Sequence, residues 1–283
     1  MQAGKPSRTA LGAAAHRAAH QILEGGRIFA DPLALRILGQ DTETVLREAE
    51  EHPFKRIMRL FIAVRTRFAE DALAAAVDRG VRQLVVLGAG LDTYAYRCPF
   101  GDRLRIFEVD YPATQAWKRE QLAAADISPP DFLRFAPIDF ERQTLADGLA
   151  NAGFDPAQQT FFTWLGVVPY LTEEAIGSTL AFVSGLPGGA HVVFDYSDPP
   201  EALSPEMRNI HDKYAERVGS VGEAWVSHFE PVKLHAELAT MGFCEIEDLG
   251  PPQIAARYFP GRISAPRDRG GHIIYAATKQ ASG

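Results

Sequence analysis

A short apolar strand that runs directly into a glycine loop is the feature that most constrains this fold. Residues 84–87 form an unbroken Leu-Val-Val-Leu run, which is typical of a strand buried on both faces of a parallel sheet. Gly88 and Gly90 follow at once, and residues 91–93 are expected to open a helix. Glycines in such a turn let the backbone bend sharply and approach a ligand closely. The pattern therefore predicts a binding loop at the carboxyl end of this strand.

Two acids lie about 20 residues beyond this loop, which is the spacing of a ribose-binding carboxylate. A second strand is predicted from Arg103 to Val109, and Glu108 and Asp110 stand at its end. Thr93 occupies the position of the third glycine of the dinucleotide fingerprint, a glycine that permits close helix packing beneath a pyrophosphate. Its loss favours a nucleoside without phosphates, such as S-adenosylmethionine, over NAD or FAD.

Strands and helices alternate along the rest of the chain. Residues 1–80 are predicted to be helical, with a long amphipathic segment over 54–77, and to cap the carboxyl ends of the strands. Alternation beyond them implies a mostly parallel α/β sheet, and the last two strands, joined by a proline- and arginine-rich loop, are expected to pair antiparallel. Further strands are predicted at 132–136, 160–165, 190–194, 243–249 and 271–278, and helices at 113–125, 145–150, 172–185 and 232–241. The predicted organisation is thus a cap over 1–80 and a Rossmann-like domain over 81–283, with a candidate lid insertion over 199–225.

Composition narrows the class of protein. The 283 residues carry a net charge of -7, which argues against the basic surface that binding to nucleic acid needs. No apolar run approaches the roughly 20 residues that cross a bilayer, so no membrane association is expected. The two cysteines, Cys98 and Cys244, make neither a disulfide framework nor a metal-ligand cluster. We therefore expect a cytoplasmic protein without a bound metal.

Seven segments of the chain resemble the leucine carboxyl methyltransferase family. The most specific are LGAGLDTYAYR at 87–97 and FEVDYPATQAWKRE at 107–120. The others are PSRTALGAAAHRAAH, FADPLALRILG, AVRTRFAED, TWLGVVPYLTEEA and GEAWVSHFEP. The resemblance covers nearly the whole chain, is strongest over 65–170, and points to the bacterial branch of S-adenosylmethionine-dependent O-methyltransferases associated with polyketide-type metabolites. It implies the class I methyltransferase fold, a mostly parallel seven-stranded sheet with helices on both faces.

The glycine loop and the two acids form the first part of the expected cofactor site. Gly88 and Gly90 are assigned to the backbone cradle of S-adenosylmethionine. The resemblance points to Asp110 as the acid that binds the ribose, and Glu108 is the alternative. Whichever of the two does not contact the ribose is expected to support the loop or to cap the helix after Pro112.

Four further residues are expected to contact the cofactor. The resemblance places contacts at Asp139 and Phe140, just beyond the third strand, although an acid there also suits the N-cap of the next helix. It also places the arginine that binds the cofactor carboxylate at Arg65, where a bidentate guanidinium fits the role. The alternative for a helical arginine is a solvated face. Arg17 is a second candidate for the same contact.

Catalytic candidates are sparser. The family often has an acid after the fourth strand, where this chain has Leu165, so a contact to the methionine amino group is missing or comes from elsewhere. Tyr170 follows in the matching place, as a residue of the site wall or as a buried structural tyrosine. A hydroxyl acceptor requires a general base, whereas a carboxylate acceptor does not, and His211, His228 and His272 are the candidate bases.

Together these residues predict an S-adenosylmethionine-dependent methyltransferase with S-adenosylhomocysteine as its product. The methyl group would pass to an oxygen, carboxylate or hydroxyl, of a small-molecule acceptor. Because the sulfonium is already activated, alignment of donor and acceptor contributes most of the catalysis. Two alternatives stay open: an NAD-dependent oxidoreductase of Rossmann type, and a non-catalytic binding protein with the methyltransferase fold.

Overall fold

Apolar runs and glycine turns divide the chain into seven strands and ten α-helices over the residues that the structure describes. The computed structural model describes residues 7–50, 53–140, 142–219, 224–261 and 269–279. The strands are β1 (Gln83–Leu87), β2 (Arg105–Asp110), β3 (Leu133–Pro137), β4 (Thr160–Trp164), β5 (Ala190–Ser197), β6 (Phe243–Leu249) and β7 (Gly271–Thr278). The helices are α1 (Arg8–Leu23), α2 (Ala34–Leu38), α3 (Thr42–Glu50), α4 (Pro53–Asp78), α5 (Pro112–Ala124), α6 (Leu145–Asn151), α7 (Glu173–Ser184), α8 (Pro205–Gly219), α9 (Pro231–Thr240) and α10 (Pro251–Tyr258).

The strands form one mixed sheet in the order β3-β2-β1-β4-β5-β7-β6. Strand β2 runs parallel to both β1 and β3, and β4 runs parallel to β5. Strand β7 runs antiparallel to both β5 and β6. The predicted α/β class, with a mostly parallel sheet and an antiparallel pair formed by the last two strands, is therefore confirmed.

Contacts between residues group the described chain into two compact units. Unit 1 comprises Met1–Arg67 and Arg82–Asp155, and unit 2 comprises Phe68–Val81 and Pro156–Gly283. The predicted cap over 1–80 and the predicted lid over 199–225 stay predictions, and residues 220–223 of the latter lie outside the described residues.

Each unit has an apolar interior that follows from its sequence pattern. In unit 1 a stripe of small residues on α1, including Ala14, Ala18 and Ala19, is fully buried, because alanine lets α1 lie close to α2 and α3. In unit 2 the strand residues Phe161 and Phe194 are fully buried, as expected for apolar runs inside a sheet covered on both faces. Both units therefore bury apolar residues of their own.

Proline marks the start of several helices. Helix α5 begins at Pro112, where the missing N–H costs no helical hydrogen bond. Helix α10 begins at Pro251 by the same rule, so the expectation of a proline- and arginine-rich loop between β6 and β7 is wrong over Pro251–Tyr258. None of the described helices is both long enough and apolar enough to cross a membrane.

Candidate cofactor site

The loop after β1 is tied to the end of β2 through Asp110. The backbone N–H of Gly90 donates to Asp110 Oδ2 at 2.6 Å, and the N–H of Ala89 donates to the carbonyl of Val109 at 3.0 Å. Gly88 and Gly90 have φ angles of 67° and 45°, which disfavour residues with a side chain. A Cβ on Gly90 would also lie 2.9 Å from the Cβ of Ala10 on α1. Glycine at position 90 is therefore required by backbone conformation and by packing.

The expected helix at residues 91–93 is wrong. Asp92 Oδ1 accepts a hydrogen bond from the N–H of Tyr94 at 2.8 Å, and the chain makes only a short 3-10 helix over Tyr94–Tyr96. Thr93 is buried and its hydroxyl donates to Asp31 Oδ2 at 2.7 Å. The side chain of Asp92 thus takes a backbone N–H that an α-helix would use, and the side chain of Thr93 ties the segment to Asp31.

Arg17 braces this loop from α1. Its Nη2 donates to the carbonyl of Leu91 at 2.5 Å, and its Nε lies 3.6 Å from Asp31 Oδ2. Arg97 lies on the other side of Asp31, with its Nε 3.7 Å from Oδ1 and 3.1 Å from Thr93 Oγ1. The charge of Arg17 is therefore opposed by a buried carboxylate, and its expected contact with the cofactor stays a prediction.

Asp110 is held by backbone donors at both carboxylate oxygens. Besides Gly90, the N–H of Tyr111 donates to Oδ1 at 2.7 Å. Burial raises the pKa of Asp110 above its ordinary value, although the hydrogen bonds from Gly90 and Tyr111 and the charge of Lys118 act in the opposite direction. Each carboxylate oxygen has a second lone pair, so the fixed carboxylate keeps acceptor capacity for a ligand.

Glu108 lies in the interior and faces a lysine that the sequence interpretation did not single out. Lys118 Nζ, on α5, is 2.7 Å from Glu108 Oε2, and both side chains are buried. Burial raises the pKa of Glu108 to about 7, despite the opposing charge of Lys118. Tyr111 is the N-cap residue of α5, so capping of this helix by Glu108 is wrong. The sequence does indicate that Lys118 is buried, since it lies four residues from Thr114 and from Leu122, which are buried on the same face of α5.

Asp139 and Phe140 follow β3, the strand next to β2. The N–H of Ile138 donates to the carbonyl of Asp110 at 2.9 Å. The start of this segment therefore lies beside Asp110, the candidate ribose-binding acid. Asp139 is half-buried, and Phe140 is 61% exposed, unusual for a large apolar side chain. The N-cap of α6 is Thr144, whose side chain accepts from the N–H of Asp147 at 3.1 Å, so the capping alternative for Asp139 is wrong.

Arg65 lies on α4 with only 8% of its surface exposed. The solvated-face alternative for this arginine is therefore wrong. A guanidinium in such a place needs partners for its five donors, and carboxylates supply the strongest. Its predicted role with the cofactor carboxylate stays a prediction.

The remaining candidates belong to unit 2. Leu165 is half-buried, and the next residue, Gly166, has a φ of 72° and donates its N–H to Asp195 Oδ1 at 2.6 Å. Tyr170 ends a 3-10 helix over Val168–Tyr170 and is half-buried. The acid nearest to this loop through a described hydrogen bond is thus Asp195, and a catalytic role for Tyr170 stays a prediction.

His211 and His228 are paired with each other. Their Nε2 atoms are 3.1 Å apart, and His211 Nδ1 lies 3.1 Å from Asp212 Oδ1. An N–H on His211 Nδ1 facing Asp212 leaves Nε2 to accept a hydrogen bond from the Nε2–H of His228, whose Nδ1 then carries the lone pair. Burial lowers the pKa of His228, and the neighbouring His211 lowers it further. His228 is therefore neutral at pH 7 and able to accept a proton.

His272 is unsuited to the role of a base. Its Nε2 lies 3.2 Å from Asp198 Oδ2 and its Nδ1 lies 3.0 Å from Asp248 Oδ1. Burial alone would lower the pKa of His272, but hydrogen bonds to Asp198 and Asp248 raise it to about 9. The ring is thus an imidazolium at neutral pH, with no lone pair for an incoming proton, so the expectation of a general base here is wrong.

A known protein family matches the part of the chain that contains the glycine loop and both acids. The profile of the family described as leucine carboxyl methyltransferase matches residues 10–184, which is more than half of the 283 residues. The chain belongs to the leucine carboxyl methyltransferase family. The match includes the glycine loop, both acids after it, Arg65 and the Asp139-Phe140 pair.

Two curated relatives of this chain are both named as S-adenosyl-L-methionine-dependent methyltransferases. The Bacillus subtilis (strain 168) protein "Putative S-adenosyl-L-methionine-dependent methyltransferase YktD" is 34% identical over 200 residues, covering 70% of this chain and 66% of the relative. The Parafrankia sp. (strain EAN1pec) protein "Putative S-adenosyl-L-methionine-dependent methyltransferase Franean1_4929" is 38% identical over 156 residues, covering 54% of this chain and 50% of the relative. The matches thus span half to two thirds of the relatives' own lengths.

Two solved structures have a similar fold and match this chain over nearly its full length. The crystal structure of "a putative methyltransferase from Thermobifida fusca YX" matches with a TM-score of 0.57 at 16% identity, covering 99% of this chain and 97% of that one. The CurJ carbon methyltransferase matches with a TM-score of 0.51 at 15% identity, covering 96% of this chain and 67% of that one. At these identities the likeness shows the class I methyltransferase fold alone.

Proposed function

We propose that this chain is an S-adenosylmethionine-dependent O-methyltransferase that acts on a carboxylate or hydroxyl of a small metabolite. The observation that carries the proposal is the bond between Gly90 N–H and Asp110 Oδ2, at 2.6 Å, in a member of the leucine carboxyl methyltransferase family. That bond fixes a ribose-type acid against a glycine turn. The names of the curated relatives support the same cofactor.

The residues of unit 1 suit the parts of this cofactor. Asp110 is only half-buried, so its carboxylate is accessible to two ribose hydroxyls, and Gly88 exposes the loop backbone. Phe140 offers an exposed ring as an apolar face for adenine, and Asp139 offers an acceptor for its amino group. Arg65 would hold the carboxylate of the methionine moiety. The bound cofactor would supply an activated methyl group, and these residues would hold and orient it.

Whether His228 is needed for methyl transfer depends on the class of acceptor. A carboxylate acceptor is already ionised, whereas a hydroxyl must lose its proton to a base during transfer. The lowered pKa of His228 and its contact with His211 suit it to take such a proton. A hydroxyl acceptor therefore predicts a rate that falls when His228 is replaced, and a carboxylate acceptor predicts a rate that does not.

The first experiment is calorimetric titration of S-adenosylhomocysteine into the wild type, into Asp110→Ala and into Asp102→Ala. Asp102 is an exposed acid of unit 1, so it controls for the loss of one negative charge. We expect clear binding to the wild type and to Asp102→Ala, and loss of binding in Asp110→Ala. Absence of binding to the wild type would refute the proposed function, and binding of NAD in its place would support the oxidoreductase.

The second experiment identifies the bond that is formed. The wild type is incubated with methyl-labelled S-adenosylmethionine and a panel of small carboxylic acids and phenols, and the labelled products are treated with mild alkali. Label released by alkali indicates a methyl ester, and label that stays indicates an ether. Binding of S-adenosylhomocysteine without transfer to oxygen in any member of the panel would favour the non-catalytic binding protein.

A further inference from the structure

Buried polar atoms are concentrated inside unit 1 near Asp110, the candidate ribose-binding acid. The hydroxyls of Tyr96 and Thr114, both carboxylate oxygens of Glu108 and Nζ of Lys118 are all buried, and none makes a hydrogen bond of good geometry with the described residues. Lys118 Nζ nevertheless lies 2.7 Å from Glu108 Oε2, so charge attraction rather than a well-directed hydrogen bond joins these two groups. Buried groups left in this state are costly, which favours a functional reason for keeping them.

Glu108 and Asp110 share this one buried lysine. They are two residues apart on β2, so their side chains leave the strand on the same side. The charge of Lys118 lowers the pKa of both acids, whereas burial raises both. Asp92, on the loop after β1, adds a further negative charge that acts on Glu108 and on Tyr96, and Asp110 acts on Glu108 in the same sense. Arg119, an exposed cation on the same helix, acts on Tyr96, whereas Lys118 acts on both acids. The cluster thus holds more negative groups than Lys118 alone can balance.

We propose that Lys118 is a positioning residue that pairs with Glu108 so that Asp110 stays ionised for the ribose of the cofactor. The Lys118–Glu108 ion pair then carries no net charge, so Glu108 does not compete with Asp110 for a proton. The proposal rests on the proposed function of Asp110. It adds two residues, Glu108 and Lys118, that act on the cofactor through Asp110 without touching it.

The physical reason is the difference between a carboxylate and a carboxylic acid as an acceptor. An ionised Asp110 accepts from both ribose hydroxyls, and hydrogen bonds to a charged acceptor are roughly twice as strong as those to a neutral one. Two acids without a cation between them cannot both ionise near neutral pH, and they share a proton. Loss of Lys118 would therefore place part of that proton on Asp110.

The test is the dissociation constant of S-adenosylhomocysteine between pH 6 and pH 9 for four proteins. These are the wild type, Lys118→Met, Glu108→Gln and the double variant that carries both changes. The wild type and Glu108→Gln should bind alike, within about threefold, at every pH. Lys118→Met should bind about tenfold more weakly at pH 7, as an acid does when its pKa lies about one unit above the pH and about one molecule in ten is ionised, and binding should recover as pH rises. Arg119→Met removes an exposed cation from the same helix and should bind like the wild type.

The double variant shows whether Lys118 acts through its charge, as a positioning residue, or only through its packing. If Lys118 acts by balancing Glu108, removal of both charges should restore binding to within about threefold of the wild type. A double variant that stays as weak as Lys118→Met at every pH would overturn the proposal, as would a Lys118→Met protein with wild-type affinity. Should Lys118→Met fail to fold, the comparison between Glu108→Gln and the double variant still separates the two explanations, since positioning predicts equal affinity and packing predicts weaker binding by the double variant. A wild type that binds no S-adenosylhomocysteine would overturn the proposed function, whereas normal wild-type binding with the wrong variant pattern overturns this inference alone.

Discussion

His272 gives unit 2 a stability that depends on pH, and replacing it with glutamine should remove that dependence. The side chain is 9% exposed and lies between Asp198 and Asp248. A rise of the pKa from 6.5 to about 9 corresponds to about 3 kcal/mol of stabilisation of the charged ring in the folded state. The same contacts lower the pKa of Asp198 and of Asp248, so the three shifts describe one interaction and are counted once.

The direction of the effect follows from which state binds the proton more tightly. Because the folded-state pKa lies above the unfolded value, the stabilisation is fully present below pH 6.5 and is lost as pH rises through 9. His272→Gln also leaves two carboxylates with a poorer partner, and that cost adds an offset at every pH. The gap in unfolding free energy between wild type and variant should therefore be largest at pH 6 and should shrink by about 3 kcal/mol by pH 10.

Urea denaturation of both proteins at pH 6, 8 and 10 measures this gap, and other titrating groups cancel in the difference. His235→Gln is the matched control, since His235 contacts the same Asp248 at 2.8 Å but has a side chain that is 38% exposed. The control should keep the pH dependence of the wild type. A gap between wild type and His272→Gln that stays constant across the three pH values would refute the reasoning.

Three further substitutions test the packing of unit 1. Arg59→Met should lower the unfolding free energy by about 1–3 kcal/mol in denaturant titrations, because Nε and Nη2 of Arg59 contact Glu24 at 2.9 and 2.8 Å and its loss leaves that half-buried carboxylate with His20 Nδ1, at 3.1 Å, as a partner. Gly148→Ala should cost about 1–3 kcal/mol, because its Cβ would lie 2.3 Å from Ile138 Cδ1, and the added change Ile138→Val should recover part of the loss; no recovery would contradict the packing explanation. Thr144→Ala should cost about 1 kcal/mol and Thr144→Ser almost nothing, since only the hydroxyl caps α6; equal losses in both would count against the cap.

Local patterns in the sequence were sufficient to predict the elements of the sheet. Strands β6 and β7 were predicted with the bounds that the structure shows, because glycine and polar turns delimit their apolar runs. Helix α10 is harder to predict, because Pro251 and Pro252 indicate a loop as readily as a helix start, although proline is favoured at the first helical position. At this level the signals lie within a few residues of each other, so a single sequence carries them.

The candidate site was predicted less completely, because its side chains meet across long sequence separations. Thr93 contacts Asp31 across 62 positions, and that contact, with the side chain of Asp92, displaces the expected helix. The pairing of Glu108 with Lys118 follows the packing of α5 on β2 and had no local signature beyond helical spacing. Likewise, the two carboxylates around His272 come from different strand ends, so the sequence offered no reason to exclude it as a base.

Because α1 contacts the glycine loop, local unfolding of α1 is coupled to release of a ligand from that loop. Ala10 fills the space above Gly90, and Arg17 donates to the carbonyl of Leu91, so unfolding of α1 over residues 10–17 would free the loop. A ligand that only the ordered loop can hold would then slow amide hydrogen exchange along Arg8–Leu23, although those amides need not touch it. At a hundredfold excess over its dissociation constant, protection should increase about a hundredfold, or about 2.7 kcal/mol. The exchange rate of an N-terminal helix thereby becomes a reporter of occupancy at the loop.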